Sequence, residues 1–208
     1  VSIADVPANC GLGSSSSFTV SLLNALHAYK RDFISQQQLA EEILPLLLTT
    51  PAGVKGIGRV LQALSDEEID ALVERVRSHP ALYSYFITDE PNATNFPALG
   101  KLVAYLRERD PAHLTYINLF PTYASNDQLG TRGEKVTAYK EHLRQYVDIV
   151  KPALISYDHY QFAVAGDNPD YFLNLAMIRR AAQDAGVPFL NIVQACTWTP
   201  SMRVPTPD

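Results

Sequence analysis

The chain has 208 residues, 47% of them hydrophobic, and a formal net charge of −5. That length buries one sizeable core but is short for a complete eight-stranded barrel, which takes about 250 residues. The negative balance argues against a nucleic-acid or anionic-membrane partner, and no run of about 18 apolar residues is present to span a bilayer.

Residues 1–7 alternate apolar and polar, as a strand does. A turn at residues 9–13 leads into a helix over 14–30, with serines at its start and Phe18, Leu22, Leu23, Leu26 and Tyr29 on one side. Residues 35–48 form a second helical pattern, interrupted by Pro45. The glycine-rich stretch 49–60 marks a change of character, so a first domain is expected over 1–50 and a second over 51–208.

Beyond it the pattern is regular. Ser65 followed by Glu68 predicts a capping box opening a helix over 66–79. A strand over 82–88 precedes a helix over 96–110, with Arg107 and Arg109 in its last turn, where the helix dipole favours cations. A strand over 113–120, a helix over 133–150 and a strand over 153–160 follow. A helix over 170–185 stops at Gly186, and a strand over 187–195 ends the series. The strand starts recur at roughly 30–40 residues, the length of one strand–helix unit, which implies parallel strands. The expected fold class is α/β: a partial (β/α) TIM-type barrel of about four units plus an N-terminal helical segment. Polar residues end several strands, as in barrel enzymes, and none of the four has the glycine-rich turn of a doubly wound sheet.

Those strand ends form the candidate site. Glu90 and Asp158 are the two carboxylates that hydrolysis of a glycosidic bond needs, one as acid and one as nucleophile or base. Pro91 disfavours helix at Glu90 and is expected to hold it extended. An apolar strand leading into Glu90 is expected to raise its pKa. Asp89, Asn92, Asn118, Tyr157, His159, Tyr160, Gln194 and Trp198 are expected to contact substrate, the aromatic rings by stacking and the amides through hydroxyls. No His, Asp or Glu grouping has metal-ligand spacing, and paired carboxylates need neither a metal nor a cofactor. Cys10 and Cys196 lie too far apart in sequence for a metal motif or a disulfide framework.

The segments at 87–92, 116–125 and 155–162 resemble the clan of TIM-barrel glycoside hydrolases that includes family 42 β-galactosidase-like proteins, over roughly residues 65–200. The resemblance implies a glycosidase acting on β-linked sugars, with Glu90 at the position of the acid/base glutamate. At the strand end where the clan carries its nucleophile, this chain has Gln194, leaving Asp158 as the second carboxylate by position. A carbohydrate-binding barrel fragment without turnover is the alternative. Four parallel strands leave two edges, so residues 1–60 or a second copy, in a homodimer completing the barrel, are expected to cover them.

The N-terminal segment differs. Gly11, Gly13 and Ser14, Ser15 and Ser16 lie in a glycine–serine loop that opens a helix, an arrangement that offers backbone amides to a phosphate. It lacks the Gly-Lys-Ser/Thr ending of a Walker loop. Residues 1–42 resemble the phosphate-loop segment of kinases related to galactokinase and mevalonate kinase, especially bacterial sugar (heptose) kinases. That resemblance implies a nucleotide- or phosphate-binding, kinase-like protein, with a loop serine near magnesium. Two signatures abutting near residues 42–55 read as a fusion of fragments, of a kind found in environmental DNA. The start at Val1 and the absence of a signal peptide lead to the expectation of a truncated or processed chain located in the cytoplasm.

Overall fold

A computed structural model describes residues 65–79, 82–197 and 199–206. The chain divides into two compact units, Val1–Tyr83 and Ser84–Asp208. The boundary expected near residue 50 falls inside the first.

Of the first unit, the description covers helix α1 (Asp66–Val76). Its start is the expected capping box: Ser65 Oγ accepts from the Glu68 amide, and the Glu68 carboxylate accepts from the Ser65 amide. Asp66, Glu67 and Glu68 put negative charge at the positive end of the dipole. Ile69 and Val73, four residues apart, are its buried side.

The second unit is built on four strands, β1 (Ser84–Asp89), β2 (Leu114–Leu119), β3 (Ile155–His159) and β4 (Phe189–Val193). They are all parallel, in the order β1-β2-β3-β4. Between them run α2 (Phe96–Arg109), the short α3 (Asn126–Leu129), α4 (Lys135–Gln145) and α5 (Tyr171–Ala185). The last turn of α4 widens into a π turn (Tyr146–Val150). A monotonic strand order with right-handed crossovers returns every helix to the same side of the sheet. α2 packs on β2 and on the π turn, α4 on α5, and α5 on β3 and β4. The observed architecture is therefore an α/β sheet with one layer of helices. Among the described residues no strand pairs beyond β1 or β4.

The helix-facing residues of the strands are the core. Ile117, Leu119, Ile155 and Tyr157 are fully buried, together with Phe96, Leu99 and Leu106 of α2 and Tyr139 of α4. Gly100 lets α2 approach the π turn: a Cβ there would lie 2.6 Å from the Ile149 carbonyl oxygen. Arg107, in the last turn of α2, donates to the Lys151 carbonyl beyond that turn at 2.7 Å. Tyr85 ties β1 to the end of α2 by donating to Asp110 at 2.6 Å.

β1 carries one irregularity. The register with β2 slips between Phe86 and Thr88, so that Asp89 rather than Thr88 comes level with Asn118. Gly186 ends α5 in the left-handed region, as expected. Gly130 ends α3 likewise. Among the described residues no helix is long and apolar enough to cross a membrane.

Candidate functional site

Alternation along β2 and β3 divides the expected site residues between two faces. Ile155, Tyr157 and His159 point to the helices, whereas Ser156 and Asp158 point away, since successive side chains of a strand alternate. Tyr157 is fully buried in the core rather than displayed for stacking. His159 is also fully buried, and its Nδ1 donates to Asn174 Oδ1 of α5 at 2.9 Å. The same oxygen accepts from the Thr122 amide, and Asn174 Nδ2 donates to the Tyr139 hydroxyl, which donates to the Phe120 carbonyl. This polar chain locks the loop after β2 to α4 and α5. Burial holds the His159 pKa below its ordinary value, so the ring is neutral with its proton on Nδ1.

On the opposite face a second chain of hydrogen bonds links three strands. Ser156 Oγ donates to Asn118 Oδ1 at 3.0 Å, and Asn118 Nδ2 donates to Asp89 Oδ1 at 3.1 Å. Two residues above Ser156, Asp158 is only 6% exposed. Its Oδ2 accepts from the Tyr160 hydroxyl at 2.7 Å, and its Oδ1 has no hydrogen-bond partner. Burial pushes the Asp158 pKa up to about 6, and the nearby charge of Asp89 adds to the rise; the Tyr160 hydroxyl and the Asn118 amide oppose it. The same setting raises three tyrosines. Tyr116 and Tyr123 are pushed up to about 12, by burial first and then by the carboxylates of Asp89, Glu90 and Asp158. Tyr160 rises for the same reasons.

Glu90 follows Asp89 at the end of β1 but is not extended. Its φ is 46°, in the left-handed region, and its amide donates to the Asn118 carbonyl at 2.8 Å. Pro91 disfavours the right-handed helical region without enforcing extension, and the slipped register requires a sharp turn here.

Other expected contacts have structural work. Asn92 caps the turn Ala93–Asn95 through Oδ1 and donates Nδ2 to the carbonyls of Asp127 and Gln128. Its Oδ1 lies so close to Gly130 that a Cβ there would come within 2.2 Å. Gln194 is buried and clamps two segments: it accepts from the Phe162 amide and donates to the carbonyls of Phe162 and Arg203. Trp198, Gly11, Gly13, Ser14, Ser15 and Ser16 lie outside the described residues. Asp89, Asn118, Asp158 and Tyr160 are the expected residues that the fold brings together.

Sequence reasoning passed over Tyr116, Tyr123 and Ser156. A signal for two of them was available: Tyr116 stands two residues before Asn118, and Ser156 two before Asp158, so each shares a face with its neighbour. Tyr123, in the loop after β2, carried no such sign. Among the described residues no three His, Cys, Asp or Glu side chains are grouped to hold a metal ion.

The family described as GHMP kinases N terminal domain matches residues 2–58. No curated protein matches the chain. The family match agrees with the kinase resemblance of the N-terminal segment and overturns the hydrolase expectation. It points to a kinase-like protein, a transferase, rather than a glycosidase with Glu90 and Asp158 as acid and nucleophile.

Proposed function

We propose that the chain is a kinase-like protein whose residues 11–17 bind the phosphates of a nucleoside triphosphate, with a small hydroxylated molecule such as a sugar as phosphoryl acceptor. The observation that carries this reading is the family match over residues 2–58, which spans the whole glycine–serine loop. The physical basis is that glycines let the backbone turn sharply and come close to a phosphate, while successive amides and a helix N-terminus supply partial positive charge. Lacking the lysine of a Walker loop, such a loop depends on those amides for recognition. For the second unit, we read the monotonic strand order and the single helix layer as part of a (β/α) barrel, since a doubly wound sheet reverses its order at a switch point.

The test is binding first and turnover second. Magnesium-ATP at millimolar concentration should raise the melting temperature of the full chain, and AMP should do so far less. Gly13→Val, which puts a branched side chain among the amides, should remove the ATP-dependent shift. A chain indifferent to ATP and ADP alike would refute the reading. With labelled ATP, transfer to a panel of sugars would identify the acceptor.

A further inference from the structure

We propose that residues 160–168, which follow β3, and residues 199–206, which follow β4, form one strap that closes over Asp158 and is released as a unit, admitting solvent to that carboxyl.

Both segments lie beyond the C-terminal ends of their strands, the end at which parallel α/β sheets take their ligands. Neither is a strand of the sheet, yet their backbones pair with each other. Ala163 and Met202 form an antiparallel bridge. The Val164 amide donates to the Ser201 carbonyl at 2.9 Å, and the Arg203 amide to the Phe162 carbonyl at 3.2 Å. Gly166, at φ 124°, turns the first segment back on itself, and the Asn168 amide then donates to the Gln161 carbonyl at 2.8 Å. Two side chains lie across the seam. At its base the buried Gln194 accepts from the Phe162 amide and donates to the carbonyls of Phe162 and Arg203. Farther out, Arg203 makes a two-pronged ion pair with Asp167, at 2.7 and 3.1 Å. Its guanidinium also lies 4.9 Å from the centre of the Phe162 ring.

These bonds run between the segments, so the order of each depends on the other. An irregular segment that loses such a partner regains backbone freedom, and that entropy outweighs the few bonds it keeps within itself. Tyr160 links the strap to Asp158. Its hydroxyl donates to Asp158 Oδ2 at 2.7 Å, and it stands two residues before Phe162, which both Gln194 and Arg203 hold. Asp158 is buried beneath it. Release of the strap draws Tyr160 from the carboxyl and lets water reach it. The ion pair is partly exposed, 31% at Arg203 and 45% at Asp167, so it is a latch that opens readily.

The test combines amide hydrogen exchange with carboxyl labelling, both on the full chain. Asp167→Ala alters the first segment and Arg203→Ala the second. Each should raise exchange at least threefold in both segments and leave β1 and β2 unchanged. Labelling of Asp158 by a water-soluble carbodiimide and glycinamide should rise by a similar factor, with the exposed Asp184 as an unchanged control. Gln194→Ala, at the base of the seam, should raise both readouts at least tenfold; if it does not fold, the two surface variants decide alone. Loosening confined to the altered segment, exchange unchanged in both, or faster exchange with Asp158 still protected would each overturn the proposal. These readouts need no nucleotide, so ATP binding through residues 11–17 can fail without them, and they without it.

Discussion

On the helix side of β3, Tyr157 and His159 are fully buried, and His159 Nδ1 joins Asn174 in a chain that links the loop after β2 to α4 and α5, while His159 Nε2 and the Tyr157 hydroxyl have no hydrogen-bond partner. On the other side, Ser156 and Asp158 are also buried; Ser156 is joined through Asn118 to Asp89 on β1, and Asp158 Oδ1 has no hydrogen-bond partner. One strand thus carries two polar networks that run in different directions. The first crosses from the strand to the helix layer through Asn174. The second runs from strand to strand across the sheet. A buried polar residue is by itself no sign of function, since both faces of this strand hold buried polar atoms without a hydrogen-bond partner.

The largest test of this contrast lies on the helix side. Asn174→Ala would strand the Thr122 amide and the His159 Nδ1 proton, each such loss costing roughly 1–3 kcal/mol, while the Tyr139 hydroxyl keeps its bond to the Phe120 carbonyl. Chemical denaturation should show a loss of about 4 kcal/mol.

The opposite sign is expected across the sheet. A carboxyl whose pKa is raised in the folded state binds its proton more readily folded than unfolded, so stability falls as pH rises from about 4 to about 6. Asp158→Asn removes that dependence. It should stabilise the chain at pH 7.5 by up to about 3 kcal/mol, with the gain vanishing below about pH 4. His142, buried on α4 and donating to the Leu129 carbonyl, is pushed down to about 4. Its contribution runs the other way: stability present above pH 6.5 is lost as pH falls toward 4. Denaturation from pH 4 to 8 in Asp158→Asn should therefore show a steeper acid loss than in the unaltered chain.

The smallest effect concerns the support beneath both faces. Gly100→Ala would push a methyl group against the Ile149 carbonyl and separate α2 from the π turn, at about 2 kcal/mol. A melting temperature unchanged by this substitution would show that the two elements move apart freely.

Much of the scaffold was legible because its signals are local. The Ser65 and Glu68 pair and the stop at Gly186 depend on hydrogen bonds and backbone conformations within one turn, and both stand where their residue types require. The four strands lie within a few residues of their expected starts, and parallel pairing follows from their spacing. One local signal went unread: Ser125 and Gln128 form a capping box at α3 with the same spacing as Ser65 and Glu68. The site was less legible. Asp158, Asn118 and Asp89 could be named, but Gln194 and Asn92 have the same residue chemistry and serve as clamps. Residue type does not say whether an amide spends its bonds on the backbone or offers them to a ligand.

The sequence by itself placed, to within a few residues, the four strands of the second unit and the three longer helices between them, and it determined that Asp158 and His159 face opposite ways, since alternation along a strand admits no other result. Only the tertiary structure decided which face the helices cover, and hence that His159 lies beneath them and Asp158 on the opposite face. It also decided the one-residue slip in β1 that brings Asp89 level with Asn118 and turns Glu90 into the left-handed region. Register depends on packing between strands far apart in sequence, and no local pattern records it.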